Sequence, residues 1–93
     1  MTLSMQLSLD DAEARDEEWA TAARRLILAL APGDRFDSDW LHERLGDPSG
    51  LGNSVGAVIH SLQNAGAIAF TGESVMSSRP SARGRWVRIW TRL

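Results

Sequence analysis

The chain contains three segments whose apolar residues recur at helical spacing. The first covers residues 10–30, which lack Pro and Gly and are rich in good helix formers. Its apolar stripe consists of Trp19, Ala23, Leu26, Ile27 and Leu30. This pattern predicts an amphipathic helix that starts near Ser8, with acids in its first turn, and stops before Pro32 and Gly33.

The other two segments are shorter. Asp37 or Ser38 is expected to cap a second helix over residues 39–45, and residues 46–52 form a loop rich in breakers. Asn53 or Ser54 is expected to cap a third helix that runs to residue 65 and stops at Gly66. Its apolar residues, Val55, Val58, Ile59 and Leu62, form one stripe.

Alternating patterns predict the strands. Residues 67–71 and 85–91 alternate apolar and polar positions, residues 35–36 are a candidate very short strand, and residues 72–84 are expected to be loop. In the last strand Val87 and Ile89 occupy one face and Trp86, Arg88 and Trp90 the other. We expect Val87 and Ile89 to face inward, with at least one Trp packed over an edge.

The first nine residues also alternate, with Leu3, Met5, Leu7 and Leu9 at the apolar positions. This period of two predicts a short strand or an extended arm, and a disordered terminus fits equally well. The arm is also a candidate dimerisation element. The expected organisation is therefore an arm over residues 1–9 and one domain over residues 10–93.

The predicted order of elements is helix, short strand, helix, helix, strand, loop, strand. Two short helices followed by a hairpin are the layout of a winged helix-turn-helix. The predicted fold class is α+β, with three helices and a small antiparallel β-hairpin wing, here residues 72–84 with their flanking strands.

Composition narrows the range of functions. The 93 residues contain no Cys and no Tyr, and all ten basic residues are Arg. Disulfides and thiolate metal sites are thereby excluded, and His42 and His60 lack the spacing of metal ligands. With no glycine-rich phosphate loop, we expect neither an enzyme nor a cofactor. No signal pattern or long apolar run is present, so we expect no membrane partner and a cytoplasmic location.

Charge is distributed unevenly along the chain. The net charge is −2, but residues 1–47 carry eleven acids and five Arg, whereas residues 48–93 carry five Arg and the single acid Glu73. This asymmetry indicates an acidic outer face and a basic working face. Alternatively, the use of Arg alone reflects a GC-rich genome. The acidic cluster of the first helix is interpreted as a solvated face, with DNA mimicry or partner docking as the alternative.

The polar face of the third helix is the candidate for reading the major groove. Asn pairs with the edge of adenine and Ala contacts the thymine methyl, and no acid lies on this face to repel DNA. The candidate residues are Asn53, Ser54, Ala57, His60, Ser61 and Asn64. Asn53 has an alternative role as a helix cap only, and His60 as an ordinary exposed histidine.

The predicted wing is the candidate for gripping the DNA backbone or minor groove. Its arginines, Arg79, Arg83 and Arg85, are separated by turn-forming residues, and Ser77, Ser78 and Ser81 can add hydrogen bonds to phosphate. No acid lies between residues 74 and 93, unlike in an ordinary solvated loop. The alternative is a flexible tip that Arg keeps soluble.

Over residues 19–90 the chain resembles small winged helix-turn-helix proteins of bacteriophages and prophages, many from actinobacterial hosts. The resemblance rests on the motifs GDRFDSD (33–39), NSVGA (53–57), AGAI (65–68), SRPS (78–81) and GRWVRIW (84–90). It implies binding to double-stranded DNA in the host cytoplasm, and a mode of binding rather than a biological task.

Three functions remain open at this point. A phage transcriptional regulator is preferred, and it would normally bind as a homodimer on a two-fold site. An accessory factor in phage recombination or replication fits equally well with the DNA-binding residues. A protein-interaction module, for example for a host protein, is the rival, since Trp residues anchor interfaces. Joint exposure of Trp86 and Trp90 would favour the module, and joint burial would favour DNA binding.

Overall fold

The chain forms a small α+β fold of three helices and a three-stranded antiparallel sheet. The computed structural model describes residues 2–48, 54–79 and 84–93, with side chains from Arg15 onward. In chain order the elements are α1 (Thr2–Leu28), β1 (Arg35–Phe36), α2 (Ser38–Leu45), α3 (Ser54–Asn64), β2 (Ile68–Met76) and β3 (Trp86–Arg92). The predicted number of helices and their order are confirmed.

Every element contributes to one hydrophobic core. Its buried members are Trp19, Ala23, Ile27, Phe36, Leu41, Val58, Leu62, Ile68 and Trp90. The stripe predicted for the third helix points inward, and so does that of the first helix except at Leu26, which is half-buried and borders a surface groove. α1 packs against both α2 and α3. The Trp19 indole Nε1 adds a polar link, since it donates to the carbonyl of Gly46 at 2.9 Å.

The start of α1 corrects one prediction. Residues 2–9 continue the helix instead of forming a strand or a disordered arm. Leu, Met and Gln are good helix formers, and neither Pro nor Gly interrupts this stretch. A period of two stabilises a strand only when a neighbouring strand pairs with it, and none does so in the described chain. The helix start predicted near Ser8 is wrong for the same reason.

Both ends of α2 and the end of α3 follow recognised capping chemistry. Asp37 has extended backbone and accepts from the N–H of Trp40 at 3.0 Å, as predicted for the cap of the second helix. Beyond α3, Gly66 has a φ of 75°, and the N–H of Ala67 returns to the carbonyl of Leu62. Gly adopts this left-handed conformation at low cost, which explains why α3 stops there.

The sheet order is β1-β3-β2, so the last strand lies in the centre. Phe36 of β1 and Phe70 of β2 are both register partners of Trp90. Trp90 is 7% exposed and is the core residue of the central strand. An aromatic residue therefore lies beside it on each of the two neighbouring strands. The short strand at residues 35–36 is thereby confirmed.

β2 is longer than predicted. The prediction ended the strand at Thr71 and assigned residues 72–84 to a loop, but β2 continues to Met76. A register irregularity between Phe70 and Ser74 contains Gly72, whose φ of 86° suits a bulge. The Thr71 hydroxyl, which donates to the carbonyl of Ile89 at 2.8 Å, holds the strands together there.

The buried face of β3 also differs from the prediction. Val87 and Ile89 are half-buried, whereas Trp90 is buried and Trp86 is 65% exposed. Strand twist, which a bulge increases, changes the face that contacts the helices along such a hairpin. At least one Trp was expected to pack over an edge, but Trp90 belongs to the buried core on the central strand and Trp86 is mostly exposed.

A buried carboxylate joins the β2–β3 hairpin to α2. Asp39 is 7% exposed and accepts from the hydroxyl of Ser77 at 2.8 Å and from the N–H of Ser78 at 3.1 Å. The N–H of Ser77 donates in turn to the carbonyl of Arg85 at 2.8 Å. This connection fixes the base of the hairpin relative to the helices.

We predict that Asp39→Ala lowers the free energy of unfolding by about 1–3 kcal/mol, because the Ser77 hydroxyl loses its buried acceptor. The measurement is chemical denaturation followed by circular dichroism. Glu43→Ala, an exposed acid on the same helix, is the control and should change stability by less than about 0.5 kcal/mol.

A double-mutant cycle with Ser77→Ala isolates the pair. We expect the two substitutions to be non-additive by about 1 kcal/mol, because each removes the same interaction. Additive losses would show that Asp39 stabilises the fold by another route.

Candidate nucleic-acid interface

The polar face of α3 is open to solvent. Ala57, His60, Ser61 and Asn64 are all exposed, as expected for a surface that could approach a ligand. The buried residues of the helix, Val58 and Leu62, lie on its other side. The structure therefore brings four of the six predicted α3 contacts onto one accessible face.

The remaining two α3 candidates differ. Ser54 begins the helix and is half-buried, and Asn53 lies outside the described residues. His60 and Asn64 are linked by a contact of 3.1 Å between Nε2 and Nδ2, one helical turn apart. Apart from His60, α3 has no ionisable side chain, so this face offers hydrogen bonds and methyl groups rather than charge.

The serines at the base of the hairpin have different environments. Ser77 is buried, and its hydroxyl donates to Asp39 and accepts from the N–H of Arg79 at 3.2 Å. The expectation that Ser77 binds phosphate is therefore wrong, because its hydrogen-bonding capacity is used inside the fold. Ser78 is exposed, and its hydroxyl remains a candidate contact. Ser81 lies outside the described residues.

Arg79 has an acidic neighbour that the sequence did not reveal. Its Nη2 lies 3.3 Å from Oδ1 of Asp47, a residue in the loop after α2. Because residues 74–93 contain no acid, the sequence suggested that the wing arginines have no acidic neighbour. Asp47, which is distant in sequence, nevertheless lies beside Arg79. Arg83 lies outside the described residues.

Arg85 and Arg88 are exposed at the start of β3. The guanidinium of Arg88 lies over the ring of Phe70, 5.1 Å from its centroid, which holds this cation against the sheet. Arg88 was not among the predicted contacts. Its alternation with Trp86 and Trp90 on one strand face was the signal that could have identified it as a candidate contact.

A cleft of about 290 Å³ connects the start of α3 with the base of the hairpin. Val55 and Gly56 of α3, Ser38 and His42 of α2, and Arg79 and Arg85 border it. Two wing arginines and the beginning of the candidate reading helix are therefore neighbours in space, as the predicted layout requires.

Acids lie on the opposite side of α3. A second groove is bordered by Asp16, Glu17 and Arg24 of α1 together with Ser54 and Ala57. The sequence interpretation treated the acids of the first helix as a solvated face. Here two of them come close to a predicted DNA contact, and this proximity opposes the approach of phosphate on that side.

His42 has a role that the sequence reasoning missed. Its Nδ1 lies 2.5 Å from Oδ1 of Asp47, and its ring lies 6.1 Å from that of Trp19. The sequence showed only that His42 and His60 lack the spacing of metal ligands. Asp47 thus lies between His42 and Arg79, a relation that depends on tertiary structure and has no local signal.

The two tryptophans of β3 do not share an environment. Trp86 is 65% exposed and Trp90 is 7% exposed. The expected choice between joint exposure and joint burial therefore does not discriminate between a protein partner and DNA. Met76, the register partner of Trp86, is 58% exposed, so an apolar pair lies at the outer end of the hairpin.

Two general features of the described chain bear on partners. No group of three or more His, Asp or Glu side chains among the described residues could hold a metal ion. None of the helices in the described ranges has the length and apolar character needed to cross a membrane.

No family model matches the chain, and no curated protein or solved structure is significantly similar to it.

Proposed function

We propose that the protein is a non-enzymatic, double-stranded DNA-binding protein with a winged helix-turn-helix architecture. In this proposal α3 enters the major groove and the wing arginines contact the backbone or minor groove. The observation that carries the proposal is the cleft in which the start of α3 meets Arg79 and Arg85. One ligand large enough to cover both elements is a duplex.

The exposed face of α3 supports a reading role. Base edges in the major groove are recognised by hydrogen bonds and methyl contacts, which Asn64, Ser61 and Ala57 can supply. The face itself has no carboxylate, and the nearby acids Asp16 and Glu17 border only the groove beside Ser54 and Ala57. The face also has no cation, so α3 contributes selectivity more than affinity.

The hairpin supports a backbone-binding role. Arg85 is exposed, and the Arg79–Asp47 pair lies at the surface, where such pairs contribute only about 0–1 kcal/mol. A DNA phosphate can therefore replace Asp47 as the partner of Arg79 at little cost. The affinity should be modest, because the net charge of the chain is −2.

The biological role that we propose is that of a phage or prophage transcriptional regulator, and it rests on the resemblance of the sequence motifs alone. An accessory role in phage recombination or replication uses the same DNA contacts. Selection of bound duplexes from a random pool, at low and physiological salt, tests the proposal. An enriched motif supports a sequence-specific protein, and the absence of binding at low salt overturns DNA binding.

A protein-interaction module is the second candidate, favoured by the exposure of Trp86 and Met76. A groove of about 690 Å³ between α1 and the end of α2 also fits an apolar segment of a protein, since Ala22, Leu26 and Leu45 border it together with charged residues of α1. Failure of the DNA selection would shift the preference to this function.

Replacement of both Arg79 and Arg83 by Ala should weaken binding to every duplex by roughly tenfold and reduce the salt slope by about 2, because two phosphate contacts are lost. The measurement is fluorescence anisotropy across a series of salt concentrations. Arg15→Ala with Arg25→Ala removes the same charge from exposed positions of α1 and is the matched control. Equal losses in the two variants would assign the effect to net charge rather than to the wing.

His60→Ala should alter the preference among duplexes while leaving the salt slope unchanged, because a base contact carries sequence information and a phosphate contact does not. The readout is sequencing of DNA selected by each variant. Gln63→Ala, an exposed polar residue of α3 outside the predicted set, is the control. An unchanged motif with His60→Ala would remove this residue from the reading face.

Replacement of Asp16 by Asn and Glu17 by Gln should strengthen binding about two- to fivefold at low salt, because two negative charges beside Ala57 are removed. The gain should shrink as salt rises. Glu43→Gln with Asp34→Asn removes the same charge elsewhere on the surface and controls for net charge. An equal gain in both variants would mean that the groove beside α3 does not face DNA.

A further inference from the structure

The outer end of the β2–β3 hairpin presents two large apolar side chains to solvent. Met76 is 58% exposed and Trp86 is 65% exposed, and the two are register partners on adjacent strands. Single exposed apolar residues are common on protein surfaces, but a cross-strand pair of this size, outside the core, is not explained by packing. The pair is accessible to a ligand.

The exposure of Trp86 is a property of the outer end of β3 and not of a whole strand face. Alternation places Trp90 on the same face as Trp86, but Trp90 is buried in the core, whereas Trp86 is 65% exposed. Strand twist along the hairpin separates the two environments.

The charges around the pair indicate the chemistry of its occupant. Arg85 precedes Trp86, and Arg88 lies two positions along the same strand, on the face that Trp86 occupies. The nearest acid in sequence, Glu73, is paired with Arg35 of β1. An anionic partner with flat apolar faces matches this arrangement, and a nucleobase with its phosphate has both properties.

We propose that Trp86, supported by Met76, stacks on a nucleobase at an unstacked step of duplex DNA. Apolar side chains inserted at base steps are a known means of holding a distorted duplex, and Arg beside them contacts the backbone. The inference rests on the proposed DNA binding and adds a preference for duplexes in which a base is easily displaced. Unpaired bases cost less to unstack than paired ones.

The test compares two labelled duplexes of the same length, one fully paired and one with a two-nucleotide mismatch at its centre. The full chain should bind the mismatched duplex roughly tenfold more tightly, the magnitude expected from base stacking on an aromatic side chain. Trp86→Ala should abolish that preference, so that the variant binds the two duplexes equally. Trp86→Phe, which keeps an aromatic ring, should retain most of the preference.

Val75→Ala is the matched control, since Val75 is a partly exposed apolar residue of the same hairpin, and it should leave the preference unchanged. Circular dichroism and melting of each variant confirm that it is folded. Permanganate reactivity of thymines next to the mismatch gives a direct readout, because Trp86→Ala should lower the extra reactivity produced by the full chain.

Four results would overturn the inference. Equal binding of the two duplexes, or a preference that survives Trp86→Ala, removes stacking while DNA binding stands. Conversion of a dimer into a monomer by Trp86→Ala, measured by light scattering, assigns the pair to a contact between copies. No binding to either duplex at low salt overturns the proposed function and this inference with it.

Discussion

The buried carboxylate of Asp39 sets the position of the hairpin against the helices. Transfer of a carboxylate from water costs several kcal/mol unless donors replace the water, and the hydroxyl of Ser77 and the N–H of Ser78 do so here. Asp39 lies in the first turn of α2, where the helix dipole also favours negative charge. These interactions hold the strand end that leads to Arg79, so the cleft between α3 and the hairpin depends on them.

Ion pairs within the fold determine how much positive charge is presented to a partner. Arg35 is paired with Glu73 and Arg79 with Asp47, whereas Arg85 is exposed near the cleft. The charges along the sequence give the second half an excess of arginines, but the fold places Asp47 of the first half beside Arg79. The basic working face is therefore smaller than the sequence asymmetry suggested.

Much of the helical architecture could be predicted from local patterns. The stripe of α1, the Asp37 cap and the stop at Gly66 are set by neighbours within a few residues, and the structure bears them out. The N-terminal part of α1 was misassigned because a short alternation outweighed helix propensity. The extension of β2 past Gly72 depends on pairing with β3, which no local pattern contains.

The candidate site was predictable only in part, for the same reason. The exposed face of α3 follows from periodicity, so Ala57, His60 and Asn64 were identified before the fold was known. The pairing of Asp47 with His42 and Arg79, and the use of Ser77 as a partner for Asp39, join residues far apart in sequence. Such contacts leave no periodic pattern in the sequence. The charge pattern of the wing loop suggested the opposite, because that loop contains no acid.

In the proposed mode of binding, α3 and the hairpin have different tasks. A helix without charged groups gains little from counterion release, so we expect affinity for DNA to come from the arginines. Arg79 can exchange Asp47 for phosphate because the Asp47 side chain is 65% exposed and such a pair contributes little to stability. After the exchange the carboxylate of Asp47 faces solvent, so no buried charge is left without a partner.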